Sequence, residues 1–329
     1  VTLLDHYDAL LLDLDGTVYR GAEAVPGASE AVVAAHERGI AVRFVTNNAS
    51  RAPEAVAESL RAIGVPADPG EVSTSAQAGA ALAGEKVPPG SRVLVIGSEA
   101  LEHEIVAAGL VPVREFGDGV AVVVQGLSKD TGWRDLAEAC LAVKAGVLWI
   151  ACNLDPTLPT ERGEVIGNGS MVAAVRNATG ENPIVAGKPA RPLMDIATRS
   201  AGARRPLVIG DRLDTDIAGG VGAGLDSMLV LSGVTTPSDL LAAGDDERPR
   251  FVADSIAGVH GELADLEIGP REDWPVIVEN GTGRVEWRGS GTPEPLDLLR
   301  ALAAHDGPVR AGDDTTRATL KMLGVGEVG

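Results

Sequence analysis

The chain has 329 residues, 45% of them hydrophobic and 23% charged, and a formal net charge of −19. This balance belongs to a folded protein of two or three domains and excludes a wholly disordered chain. The negative excess repels nucleic acid and anionic membrane, and no apolar run approaches the roughly eighteen residues of a membrane span. The opening VTLLDHYDALLLDLDG carries no basic leader, so the expectation is a cytoplasmic protein with neither nucleic acid nor membrane as partner. Cys140 and Cys152 are too few for a disulfide framework and lack zinc spacing, so both read as reduced thiols. Only five lysines are present, at 86, 129, 144, 188 and 321, against a large arginine content.

In chain order, strand-like runs alternate with helical patterns. DALLLDLD is followed by a helix near Gly27 to Arg38, then IAVRFVTN, then helices beginning near Pro53 and Ser73. This βαβ rhythm predicts a mostly parallel sheet covered on both faces. The turn-rich GEKVPPGS interrupts it, and a second α/β series follows: RVLVIGS, a helix from Glu99 to Ala108, GVAVVVQG, a helix from Trp133 to Ala145, and GVLWIACN. Near TGENPIVAGKP the first series resumes with another helix, RPLVIGDRLDTDI and RFVADS, so one α/β unit reads as inserted in another. The expected segments are 1–80 with 184–259 as a discontinuous core, 81–183 as the insertion, and 260–329 as a small α+β appendage. In that appendage, strands turn at Asn280 to Gly283 and two short helices follow. GGVGAG (Gly219 to Gly224) follows a helix and precedes a strand, the reverse of a dinucleotide fingerprint, and reads as a helix-terminating loop.

Ligands of open parallel sheets bind beyond the carboxyl ends of the strands. Three strands end in polar residues there: Asp13-Leu14-Asp15-Gly16-Thr17, Thr46-Asn47-Asn48, and Gly210-Asp211-Arg212-Leu213-Asp214-Thr215-Asp216, with Gly187-Lys188-Pro189 before a helix. Asp13, Asp15 and Asp211 supply oxygen ligands for a hard cation, which fits Mg2+ with water and substrate phosphate completing its shell. One carboxylate can attack phosphorus while a second, two residues on, protonates the leaving oxygen. Gly16 permits a tight turn, Thr17 can hydrogen-bond at it, Thr46 and the amides of Asn47 and Asn48 add donors, and Lys188 supplies positive charge. Alone, TNN is more often a helix cap and GKP a loop, and a D-x-D start also opens EF-hand loops. Gly16, however, comes too early for an EF-hand, and the flank is a strand. The set in this order fits phosphoryl transfer.

These residues resemble the haloacid dehalogenase superfamily of phosphatases, through DLDGT, TNN, GKP and GDxxxxD in order over about Tyr7 to Val259. The insertion resembles the type II α/β cap of the branch holding p-nitrophenyl, phosphoglycolate, pyridoxal-phosphate and glycerol-3-phosphate phosphatases. The resemblance implies a Rossmann-like parallel-sheet core with an inserted cap. It also implies that Asp13 forms an aspartyl-phosphate and binds Mg2+, and that Asp15 acts as general acid/base and ligates through its carbonyl. Thr46, Asn47, Asn48 and Lys188 would hold the phosphoryl group, Asp211 the metal, and Asp216 would support that end. ACNLDPTLPTERG, with Asn153 and Leu158, resembles the cap's substrate loop. Leu158 stands where pyridoxal-phosphate phosphatases carry a histidine, which favours a small phosphorylated metabolite, glycerol 3-phosphate first. Phosphoglycolate, nitrophenyl, nucleotide and sugar phosphates remain alternatives. A phosphotransferase or a non-catalytic binding protein on the same scaffold is a further reading. The appendage lies outside the family pattern and keeps three readings: a dimer contact (as the cap also could provide), a ligand sensor, or a disordered tail.

Overall fold

The structure, a computed structural model, describes residues 1–279, 281–305 and 307–326. The expected turn at Asn280 to Gly283 thus falls partly outside the described residues. The chain divides into two compact units, Val1–Val42 with Ile63–Val65 and Ala203–Gly329, and Arg43–Ala62 with Pro66–Gly202.

In the first unit the strands Phe251–Ala253, Asp226–Val230, Pro206–Gly210 and Ala9–Leu12 lie in that order, all in parallel register, and Ala41–Thr46 comes next with its first two residues in this unit. Leu10, Leu12, Leu207, Ile209, Met228 and Leu229 are wholly buried. Burial on both faces is why these strands read as unbroken apolar runs and not as alternating ones. Helix Ala28–Glu37 buries Ala28, Ala31, Val32 and Ala35, a spacing that puts one stripe inward. After Asp211 the chain makes a π-turn, Leu213–Ile217, and continues as helix Ala218–Ala223, with Gly224 ending it at φ 74°. The glycine run therefore is itself the helix and its cap, which corrects the loop expectation. The reason is packing: a Cβ on Gly220 would lie 3.3 Å from Val208, so only small residues let this helix sit so close to the sheet.

The last 60 or so residues contribute an antiparallel pair, Val276–Glu279 with Thr282–Val285, and a strand absent from the sequence reading, Val309–Ala311, parallel to the second. Helix Pro295–Ala303 is buried on two sides. Leu296, Leu299 and Ala303 pack with Leu213, Ile217, Leu229, Leu240 and Val252, while Leu298, Ala301 and Leu302 join Trp274, Val285 and Leu320.

In the second unit, the remainder of Ala41–Thr46 pairs in parallel with Val72–Thr74. The helix expected near Ser73 begins at Ser75, because Thr74 ends the strand and caps the helix, its hydroxyl accepting from the Gln77 amide at 3.2 Å. A five-stranded parallel sheet follows, in the order Ile184–Val185, Leu148–Ala151, Val120–Gln125, Arg92–Ile96, Val111–Val113. Helices Trp133–Lys144 and Asn168–Thr179 pack on it around Trp149, Val123 and Leu94. Thr157–Thr160 and Gly163–Ile166 form an antiparallel hairpin that the sequence did not announce. No helix among the described residues is long and apolar enough to cross a membrane.

Candidate active site

Asp13 follows strand Ala9–Leu12, and its amide still donates to the Ile209 carbonyl at 2.8 Å, so the ladder runs one residue past the strand and fixes where this carboxylate starts. Asp211 holds the equivalent place after Pro206–Gly210 and is fully buried; Asp216, at the π-turn, is 1% exposed. One carboxylate oxygen from each of Asp13, Asp211 and Asp216 lies within 4.8 Å of the others. Three carboxylates this close, two of them out of water, repel strongly, and a divalent cation with oxygen ligands is the group that resolves the repulsion. The donor set therefore fits a hard cation. Asp15 is not in this cluster. It is exposed, yet burial of its surroundings raises its carboxyl above the ordinary aspartate value, against the pull of Arg20 and the Gly16 amide.

The acidic cluster is held by residues the motif reading missed. The Asp211 carboxylate accepts from the Val234 amide at 2.7 Å, and the Ser232 hydroxyl donates to the Gly16 carbonyl at 2.7 Å. A Cβ on Gly233 would lie 1.9 Å from Asp211 Oδ2, and one on Gly16, at φ +87°, would lie 2.5 Å from the same oxygen. The signal was available in DSMLVLSGVT, another apolar run ending at the carboxyl edge of the sheet, but its end carries no acid to draw the eye. Thr17 is fully buried and its hydroxyl has no hydrogen-bond partner among the described residues.

The remaining expected residues belong to the second unit. Lys188 is 4% exposed and its ammonium donates to the Val45 carbonyl at 3.1 Å. The Thr46 hydroxyl accepts from the Asn48 amide at 3.1 Å, and Asn48 Oδ1 accepts from the Ser50 amide and hydroxyl at 2.7 and 2.8 Å. The Asn47 side chain is bonded to Lys188 and Asp155, and Asn153, 3% exposed, donates to the Asn47 carbonyl at 2.6 Å. Thr46, Asn47, Asn48, Asn153 and Lys188 are thus gathered within this unit. Leu158 is not among them; it sits on the hairpin, in register with Val165. Burial pushes the Cys152 thiol up to about 12, so it stays protonated and inert beside this group.

The family model for haloacid dehalogenase-like hydrolases matches residues 10–111, and a HAD-hydrolase-like model matches 185–259. The chain is 44% identical over 339 aligned positions, 97% of its own length and 95% of the relative's, to D-glycerol 3-phosphate phosphatase of Mycobacterium tuberculosis. The chain is a haloacid dehalogenase-like hydrolase. This hydrolase also matches 5'-nucleotidase YutF of Bacillus subtilis, at 36% identity over 76% of the chain and 96% of that protein. Among solved structures, the hydrolase superposes on glycerol phosphate phosphatase from M. tuberculosis in complex with magnesium with a TM-score of 0.93, 44% identity and 99% of both chains covered. A double mutant of the thermostable NPPase from Geobacillus stearothermophilus gives 0.70 at 34% identity, over 76% of this hydrolase and 97% of that chain.

Proposed function

We propose that this hydrolase is a Mg2+-dependent phosphomonoesterase that cleaves glycerol 3-phosphate to glycerol and phosphate. The observation that carries the reading is the convergence of Asp13, Asp211 and Asp216, supported by the name of the 44%-identical relative. Asp13 and Asp211 would hold the ion with the Asp15 carbonyl, Asp216 supporting them. When bound, Mg2+ offsets the charge of the carboxylates and the phosphoryl group. An Asp13 oxygen attacks phosphorus, forming an acyl phosphate as the ester P–O bond breaks, and the Asp15 carboxyl gives its proton to the departing glycerol oxygen. Asp15, now a carboxylate, takes a proton from water; that water's oxygen attacks phosphorus, the P–O bond to Asp13 breaks, and phosphate leaves. The raised Asp15 carboxyl suits a group that must begin protonated. Thr46, Asn47, Asn48 and Lys188 hold the phosphoryl oxygens, with Asn153 and Leu158 in the loop that selects the alcohol.

The same reading takes 1–80 with 184–259 as the catalytic core, 81–183 as the cap and 260–329 as an extension, in a cytoplasmic protein. It also takes the protein as a homodimer through the cap or the extension. Trp133 (83% exposed) and Leu141 (56%) on one cap helix support the dimer, and light scattering tests it.

Asp13→Asn should lower turnover on the order of a thousandfold or more while circular dichroism shows the fold intact. Normal turnover in that variant would sink the assignment. A screen of phosphate esters with Mg2+, reading released phosphate, should place glycerol 3-phosphate above phosphoglycolate, sugar phosphates and nucleotides. A bottom rank would overturn the substrate and leave the reaction class.

A further inference from the structure

The base of the Thr157–Ile166 hairpin, residues 153–156, is bonded on several sides within the second unit. The Asn153 side chain donates to the Asn47 carbonyl at 2.6 Å and accepts from the Asp155 amide at 3.2 Å, while Asn168 donates to the Asn153 carbonyl at 2.8 Å. Amides of Gly167 and Gly169 donate to the Pro156 and Asp155 carbonyls at 2.9 and 2.8 Å. The centre of this arrangement is Asn47. Its Oδ1 accepts from the Lys188 amide at 2.8 Å and its Nδ2 donates to the Lys188 carbonyl at 3.0 Å, so the side-chain amide pairs with the Lys188 peptide as a neighbouring strand would. The second Nδ2 hydrogen goes to Asp155 Oδ1 at 3.2 Å. An amide has two hydrogens to give, and both are used here. A Cβ on Gly187 would lie 2.6 Å from Asn47 Oδ1, so the chain before Lys188 is shaped to admit this side chain.

We propose that Asp155 is a positioning residue for phosphate hydrolysis: through the Asn47 amide it fixes the Lys188 peptide, tying the base of the substrate hairpin to the lysine that holds the phosphoryl group. The proposal rests on the phosphatase reading above. A carboxylate acceptor strengthens the bond and pins the rotation of the Asn47 amide, which in turn sets the register of Lys188. Asn47 thereby acts through its side chain on Lys188, leaving only its backbone for substrate.

The test is a double-mutant cycle in the full-length protein. Asp155→Asn keeps an oxygen acceptor and should stay within about threefold of wild type. Asp155→Ala should lower kcat/KM about tenfold, equally for glycerol 3-phosphate and p-nitrophenyl phosphate, and raise the inhibition constant of inorganic phosphate by a similar factor. Asn47→Asp places a carboxylate against Asp155 and the Lys188 carbonyl and should lose about a hundredfold. Asn47→Asp with Asp155→Asn restores the donor from the other side and should recover about tenfold of it, with the Lys188 carbonyl bond still missing. Additive losses, or a loss confined to glycerol 3-phosphate, would overturn the proposal, the latter by showing that Asp155 serves the alcohol and not the phosphate. The same cycle in melting temperature reads the Asn47–Asp155 bond without turnover, and additivity there overturns the proposal too. Wild-type protein inactive on every ester would instead defeat the phosphatase reading, a separate result.

Discussion

The buried Asp211 carboxylate is shaped by residues without side chains of their own. Gly233 and Gly16 both face it at distances a Cβ could not occupy, so their contribution is space, while the amide that donates to Asp211 is that of Val234. Gly233→Ala should push Asp211 aside, and the Mg2+ concentration for half-maximal activity should rise about 10–100-fold, the usual effect of disturbing what orients a metal ligand. Gly222 is the contrasting case: it is exposed within helix Ala218–Ala223 and nothing lies within 4 Å of its Cβ position. Gly222→Ala should therefore raise stability by about 0.4–1 kcal/mol in chemical denaturation, through a smaller entropy loss on folding. Were Gly233→Ala to bind Mg2+ normally, the packing argument for Asp211 would be wrong.

At the level of elements, the final helix Asp314–Met322 depends on its cap. Asp313 accepts from the Thr316 amide and hydroxyl at 2.8 and 3.0 Å and from the Trp287 amide at 2.8 Å, so one carboxylate fixes both the helix start and the neighbouring chain. Burial works against the charged form, but these bonds together hold the carboxyl below the ordinary aspartate value. A depressed folded value means the unfolded chain binds the proton more readily. The stabilisation is thus complete above the unfolded pKa near 4 and is lost as pH falls through the lower folded value. Asp313→Ala should cost about 1–2 kcal/mol at neutral pH, and its difference from wild type should shrink below about pH 4. Urea melts at pH 7 and pH 3 measure both, and an equal gap at the two pH values would remove the cap from the account.

On the scale of the whole molecule, the extension is part of the first unit's core. Helix Pro295–Ala303 covers Leu213 and Ile217, the apolar side of the turn that carries Asp216, together with Leu229 of the strand Asp226–Val230. Arg300, 6% exposed, donates to the Val252 carbonyl at 3.1 and 2.8 Å and to Asp297 at 2.9 Å, binding the helix to strand Phe251–Ala253. Each large aliphatic side chain uncovered costs about 1.5–3 kcal/mol, so a chain ending before Pro295 should melt many degrees lower and self-associate in light scattering. A truncated chain that stayed monodisperse with an unchanged melting temperature would make the extension an independent module.

The chain order of apolar runs and the acids at their ends was legible because strand, turn and carboxylate are neighbours in sequence. That local information sufficed for the parallel sheet, for Asp13 and Asp211 at equivalent strand ends, and for the family. The hairpin at Thr157–Ile166 and the strand Val309–Ala311 were not legible, since each is short and becomes a strand only by pairing with its partner. The same limit explains Ser232, Gly233 and Asp155. Apolar DSMLVLSGVT and the ACNLDPTLPTERG loop mark their neighbourhoods, but not which residue in each matters, because each bonds or packs against a residue distant in the chain: Gly16, Asp211 and Asn47. The sequence by itself determined which groups could do chemistry, because that depends on residue type and local order. Only the tertiary structure decided which of them meet and what holds them there, because a carboxylate's neighbours are set by packing across the fold.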